Sequence, residues 1–509
     1  MKKIILSLLI IITLNAQDTT KSEAFRRDLP KGKSSLHKPK YPSYPLLTSF
    51  VLQKEANSGD PFAQHELGIR LLLGRGFEAD TSQAVYWISK AAGQNIPAAK
   101  FNFAIMYYNG IGVDWNPFSA YKNFKFAAES GMKESQYAYG IYFTDNFVVN
   151  KDMSKAIAWF KKAAEQDYSP AKETLEHLRR NGVDLNLSES IESQSSRQKD
   201  ADTFVDDASI MDQKWEVDYF AFDSDTLDNE EETEMVEKLF SENKTELKEK
   251  LGLTNLRDVE SLEDTSALGI INFAAKNGSP EALFITATAA EKGIGAEKDL
   301  VKAAFNYLRS YRFGSQKAAM KLYQLVKDNS LFTQLKSRVD KGDTDAMYTY
   351  AGLVALGIDY SLTNQQAYEL LERAAEKSHI YSIIEIGLSY FNGNLVEKNR
   401  EKAIEYWNRA ADLGSREAEV RIAFAKINQQ SDDYSDEINT LTIAANQGSV
   451  LAQAALAYCY EKGIGVDQKK SMAAKLYREA ASRGSETAYN SLKSMYDELR
   501  PDEEEFKIY

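Results

Sequence analysis

The chain has 509 residues, 43% hydrophobic and 27% charged, which is enough apolar surface for a folded protein. Its net charge is −13. The stretch from Asp200 to Glu249, with 18 acidic and 4 basic residues, accounts for all of it. The remainder is near neutral, which argues against a protein that follows nucleic-acid phosphates with a basic face.

The N-terminus has the layout of an export signal. Lys2 and Lys3 precede an apolar run from Ile4 to Leu14, and Leu14-Asn15-Ala16 offers a cleavage point after Ala16. That run is too short to cross a bilayer, which takes roughly 20 residues of helix. The expected product is periplasmic or secreted, with residues 1–16 removed, a flexible segment over 17–45 and no stable membrane span.

A repeat begins with the next segment. Small residues at Ala63, Ala99, Ser135 and Ala171 stand 36 residues apart. After a gap the series resumes at Ala282, Ala318, Ala346, Ser382, Ala418, Ala452 and Ala488, with steps of 36, 28, 36, 36, 34 and 36. A period of this size predicts a stacked solenoid. Four residues after the marker comes a large apolar group in most units (Leu67, Phe103, Tyr139, Ile386), and eight after it often another (Leu71, Tyr107, Phe143, Tyr390). These positions share one face of a helix. Five residues after the marker the side chain is small, as at Gly68, Gly140 and Gly387, which predicts close approach of a neighbouring helix.

The first helix of each unit is expected to stop eleven residues after the marker. Gly74, Gly110, Gly293, Gly357, Gly393 and Gly463 lie there, with Asn146 and Asn329 standing in for glycine. A second helix follows, capped by Asp80, Asn116-Pro117, Asp152, Asn399 and Asp467. It carries alanine at Ala84, Ala120, Ala156, Ala303, Ala367, Ala403 and Ala473. Near its end is an alanine pair such as Ala91-Ala92 or Ala410-Ala411, and Gly131, Gly414, Gly448 and Gly484 close the unit.

This pattern resembles the Sel-one-like repeat, a relative of the tetratricopeptide repeat. The resemblance is carried by Asn109-Gly110-Ile111-Gly112-Val113-Asp114, Lys462-Gly463-Ile464-Gly465-Val466-Asp467, Lys155-Ala156-Ile157-Ala158-Trp159 and Lys402-Ala403-Ile404-Glu405-Tyr406-Trp407. It implies an all-α fold, an α/α solenoid of helix-turn-helix units that acts as an adaptor, and no fixed ligand. The arrays are expected over 46–182 and 266–495. The unit from Ala318 is shortened, the unit from Ala418 has Gln429 in place of glycine, and a chain with Cys459 alone lacks the paired cysteines of some relatives.

Residues 183–265 lose the pattern and read as an acidic linker. Within it lie an aromatic island, Trp215 to Phe222, and apolar residues at helical spacing, Met235, Leu239, Leu247 and Leu251. The run Asp223 to Glu230 has Leu227 where a calcium loop needs an oxygen ligand, so it reads as a solvated acidic segment. Residues 496–509 read as an acidic tail.

Neither catalytic nor metal-ligand spacing is visible. His37, His65, His177 and His379 are scattered, and Cys459 lies in an apolar helix. No cofactor is expected. The candidate partner surface is a column on the first helices: His65, Phe101 and Tyr137, followed by Phe284 and Tyr348, with Leu72 and Tyr108 one face-turn further on. The same side chains also suit packing between helices. Trp215 and Tyr219 are candidates for docking on an array or on a partner. The expected function is an exported, non-enzymatic scaffold for protein partners, with no nucleic-acid role. A hydrolase of cell-wall or β-lactam substrates and a glycan-binding module are the alternatives.

Overall fold

Helical hairpins follow one another along both arrays, most helices packed on the one before and the one after. The computed structural model describes residues 49–180 and, apart from a few loop positions, 266–508, together with positions 183, 185 and 251. Among the described residues there are 22 α-helices and no strand. Residues 1–16, expected to be an export signal, the aromatic island with Trp215 and Tyr219, and the acidic run lie outside them.

The chain divides into two units. The first array comprises α1 (Ser49–Asn57), α2 (Pro61–Leu73), α3 (Thr81–Gly93), α4 (Pro97–Asn109), α5 (Pro117–Glu129), α6 (Lys133–Ile141), α7 (Met153–Glu165) and α8 (Ser169–Arg180). Its unit also includes 469–472 and the C-terminal residues from 493 on. The second array comprises α9 (Ala267–Lys276), α10 (Pro280–Lys292), α11 (Leu300–Arg312), α12 (Gln316–Val326), α13 (Asn329–Asp340), α14 (Thr344–Ala355) and α15 (Asn364–Glu376). It continues through α16 (Ile380–Asn392), α17 (Arg400–Asp412), α18 (Arg416–Ile427), α19 (Ser435–Asn446), α20 (Val450–Lys462), α21 (Lys470–Ser482) and α22 (Glu486–Asp497).

The small residues sit where helices cross. All eleven markers, Ala63 through Ala488, are fully buried, as are the second-helix alanines from Ala84 to Ala473. The position five after the marker is as tight as predicted. A Cβ added at Gly387 would meet the Trp407 indole, with Cδ1 only 2.6 Å away, and one at Gly140 would meet Phe160 Cε1 at 2.7 Å.

Gly74, Gly110, Gly293, Gly393 and Gly463 are left-handed and end their helices, their N–H groups bonding back to the carbonyl four residues earlier. The two asparagine substitutes do otherwise. In the third unit the helix has already stopped at Ile141, and Asn146 accepts a bond from the Lys151 N–H in the loop beyond. In the shortened unit α12 ends at Val326, and Asn329 begins the next helix. Deleting the loop leaves no room for a separate stop there. Asp80, Asn116, Asp152 and Asn399 cap the second helices as expected. Asp467 does not, because α21 starts three residues later and the capping register falls on Lys469.

The closing turn of each unit also needs a left-handed residue. Gly131, Gly414 and Gly448 fill it without strain, but Asn95, Asp167 and Ser378 adopt φ of 61, 57 and 61° in the same role. An L residue there costs about 1–2 kcal/mol. Ser378 is exposed, so Ser378→Gly is expected to stabilise the second array by up to about 1 kcal/mol, after glycine's larger unfolded-state entropy is subtracted. Denaturant unfolding checks this, and a loss of stability would contradict it.

A side-chain clamp repeats across the units. Gln94 donates to Gly59 O and Gln64 Oε1, at 3.2 and 2.8 Å. Gln166 donates to Gly131 O and Gln136 Oε1, at 3.0 and 2.9 Å. In the last unit Arg483 takes this position, bonding Gly448 O at 2.8 Å and Gln453 Oε1 at 3.0 Å. Its longer fork also reaches Glu281 on α10, with Nε–Oε1 at 2.7 Å and Nη2–Oε2 at 3.0 Å. The outer hairpins of the second array are thereby joined.

Candidate partner-binding site

The column of side chains expected to meet a partner is largely interior. His65 is fully buried and its Nε2 lies 2.8 Å from Asn102 Nδ2. Phe101 packs edge-on to Phe124, and Tyr137 is buried with its hydroxyl 3.2 Å from Thr174 Oγ1. Leu72 is buried too, while Tyr108 keeps partial exposure. The physical reason is that each first helix lies between neighbours and needs apolar side chains on two faces. An accessible strip is therefore not formed by His65, Phe101, Tyr137 and Leu72.

Tyr348, a later member of the same column, lies elsewhere. It lines a small cavity of about 10 Å³, room for about one water, in the second array with Arg309, Arg312, Tyr381, Glu385 and Arg421. The end of α11 supplies Arg309 and Arg312, and the first helices α14, α16 and α18 supply the rest. Arg312 pairs with Glu385. Arg421 pairs with Glu417 at 2.6 Å. Burial works against charge on Arg312, but the Glu385 carboxylate, together with Tyr348, Tyr311 and Glu417, outweighs it and holds the guanidinium protonated above its ordinary range. Burial, assisted by Glu385, pushes the Tyr348 hydroxyl well above its usual value, so it remains a neutral hydrogen-bond donor.

Arg309 is the residue left over. It is 6% exposed, and among the described residues no carboxylate lies within 4 Å of it. Its guanidinium carbon stands 3.8 Å from the centre of the Tyr381 ring and 5.7 Å from that of Phe305. One weak bond runs from Nη2 to Ala275 O at 3.5 Å. The Nε atoms of Arg309 and Arg312 are buried without a hydrogen-bond partner. A buried cation held by rings and one carbonyl keeps donors in reserve. The cavity lining thus carries three guanidiniums against two carboxylates, a local excess of positive charge.

Sequence reasoning located Tyr348 by its helical register and missed the arginines. A signal was present: the unit from Ala282 lacks the alanine pair and has Ser310-Tyr311 flanked by Arg309 and Arg312. An arginine in this register serves the fold in two units, since Arg309 donates to Ala275 O and Arg409 to Ala375 O. Cys459 is buried in α20, where burial pushes its thiol up to about 12. It is not a thiolate nucleophile at neutral pH. Among the described residues no group of three or more His, Cys, Asp or Glu is placed to hold a metal ion, and no helix is long and apolar enough to cross a membrane.

Comparison with known proteins agrees with the repeat. A family model for the Sel1 repeat matches residues 61–96, 97–132, 133–168, 280–312, 346–379, 380–415 and 450–485. The mouse DAP3-binding cell death enhancer 1 is 30% identical over 105 residues, 21% of either chain. The Saccharomyces cerevisiae chitin synthase regulator SKT5 is 26% identical over 262 residues, 46% of this chain and 37% of that one. The chain therefore spans well under half the length of these relatives. Among solved structures, a Sel1 repeat protein from Oxalobacter formigenes is 35% identical, covering 25% of this chain and 96% of that one, with a TM-score of 0.24.

Proposed function

The chain is a Sel1-repeat protein with seven repeats between residues 61 and 485, and from that premise we propose that it is an exported, non-enzymatic scaffold whose second array takes an acidic group of a protein partner at Arg309 and Arg312. Two relatives bear the names of a regulator and of a binding protein, which supports an adaptor role. The observation that carries the reading is Arg309, a buried guanidinium without a carboxylate beside a cavity. A partner aspartate or glutamate would supply the missing charge and take up the idle Nε donors. Removing one member of such a buried, hydrogen-bonded pair costs about 2–5 kcal/mol of binding.

The test uses immobilised peptides that differ only in Asp or Glu against Asn or Gln, probed with the full chain. The acidic set is expected to bind at least about tenfold more tightly, equivalent to about 1.4 kcal/mol. Arg309→Gln is expected to erase that preference while unfolding at the parent's midpoint. Equal binding of both sets, or an unchanged preference in folded Arg309→Gln and Arg312→Gln proteins, would sink the assignment. Export is tested separately: the mature protein, sequenced from its N-terminus, should begin at Gln17. Recovery of uncleaved chain in the cytoplasmic fraction alone would refute it.

A further inference from the structure

The C-terminal residues from Tyr496 to Lys507 lie on the first array, in the manner of a bound peptide. Phe506 is 0% exposed and packs edge-on between Phe118 and Tyr121, with ring centres 5.2 and 5.5 Å away. The acidic residues beside it meet lysines. Lys122 Nζ stands 2.7 Å from Glu503, and Lys125 Nζ 2.5 Å from Glu505. Tyr121 donates its hydroxyl to Glu505 Oε1 at 2.9 Å. Burial alone would raise the Glu505 pKa, but the bonds from Lys125 and Tyr121 outweigh it and hold the carboxylate ionised below its ordinary range. The tail's main chain is held by Asn150 Nδ2 donating to Lys507 O at 2.8 Å, and its Arg500 side chain donates from Nη2 to Phe147 O of the array at 2.9 Å.

Phe118, Tyr121, Lys122 and Lys125 follow i, i+3, i+4, i+7 spacing, so they form one stripe on α5. Tyr121 also packs on Tyr139 and Tyr142, but repeat packing does not require the whole stripe. The same register in α3 holds Ser82, Val85, Tyr86 and Ser89, and in α7 it holds Ser154, Ile157, Ala158 and Lys161. The solenoid thus builds its hairpins with other residues at these positions, while the second unit alone of these three pairs two rings with two lysines. Those four side chains match what the tail presents: an aromatic anchor flanked by carboxylates.

We propose that this α5 face is a peptide-recognition groove for partner segments carrying acidic residues next to a buried aromatic, and that the chain's own tail occupies it in cis. This surface is distinct from the arginine cavity and does not depend on it. The tethered tail competes at an effective concentration in the millimolar range. A partner segment must therefore bind much more tightly than the tail or meet the groove after the tail has left.

The probe is a fluorescently labelled peptide with the sequence of residues 497–509, and anisotropy is measured against full-length protein. The intact chain is expected to bind it weakly. Phe506→Ala, which removes the anchor from the tethered tail, is expected to bind at least about tenfold more tightly, and adding Lys122→Glu with Lys125→Glu should abolish the gain. Glu503→Lys with Glu505→Lys, at positions with solvent access, provides a second released chain should Phe506→Ala fail to fold. A folded released chain that binds no better than the intact one overturns the proposal. So does binding that arises only as concentration-dependent dimerisation through exchanged tails.

Discussion

Replacing Arg483 by methionine is expected to cost the second array about 3–5 kcal/mol, because it strands a buried carboxylate. Glu281 is 3% exposed, and without Arg483 it keeps the Ser279 hydroxyl as a donor, at 2.7 Å. Arg483 itself bonds two carbonyl-bearing turns and a glutamine as well as Glu281, so its loss also opens the last hairpin. The large effect belongs to breaking the pair, not to any great net gain from having it. A buried ion pair can often be exchanged for apolar residues of similar volume at little cost. Arg483→Met combined with Glu281→Leu is therefore expected to recover most of the loss. Denaturant unfolding of the two single variants and the double variant reads this directly. A loss below about 1 kcal/mol for Arg483→Met would show that water already reaches the pair.

Trp407→Ala is expected to cost roughly 3–5 kcal/mol, the range for removing a fully buried large aromatic. The indole is 0% exposed, donates from Nε1 to Ile384 O at 3.3 Å and lies 5.4 Å from the Phe391 ring. Gly387 exists to admit it. Gly387→Ala drives a methyl group into Nε1 and Cδ1 of the ring, and overpacking of this kind costs typically about 1–3 kcal/mol. Shrinking the partner removes those two atoms. Gly387→Ala with Trp407→Ala should thus be more stable than the sum of the separate losses predicts, and a double-mutant cycle measures the difference. Strict additivity would mean that the ring has room to move aside.

The repeat was legible because each unit solves the same local problem. A helix that crosses its neighbours closely must carry a small residue at the crossing, and the crossings recur at the period of the chain. Ala63, Ala99, Ser135 and their later counterparts are accordingly buried without exception. Left-handed turns were legible at Gly110 and Gly463, where a missing Cβ is itself the signal. Capping of the first helices escaped notice because its chemistry varies: Asp60, Ser279, Asp343 and His379 perform it in turn, each three residues before the marker. Asn146 and Asn329 show the opposite error, a suitable residue at a position where the shortened structure no longer needs it.

The amino-acid sequence by itself determined an all-helical solenoid in two arrays, since local periodicity dictates helix, turn and crossing, and neighbouring units supply every contact required. Only the tertiary structure decided which side chains meet over long separations. Arg483 finds Glu281 across 202 residues, Glu505 finds Lys125 across 380, and Arg309 is left without a carboxylate in a cavity lined from α11, α14, α16 and α18. Periodicity cannot encode such meetings, because they depend on how small rotations between units accumulate along an array. A buried charge acquires its meaning from whatever those rotations bring beside it.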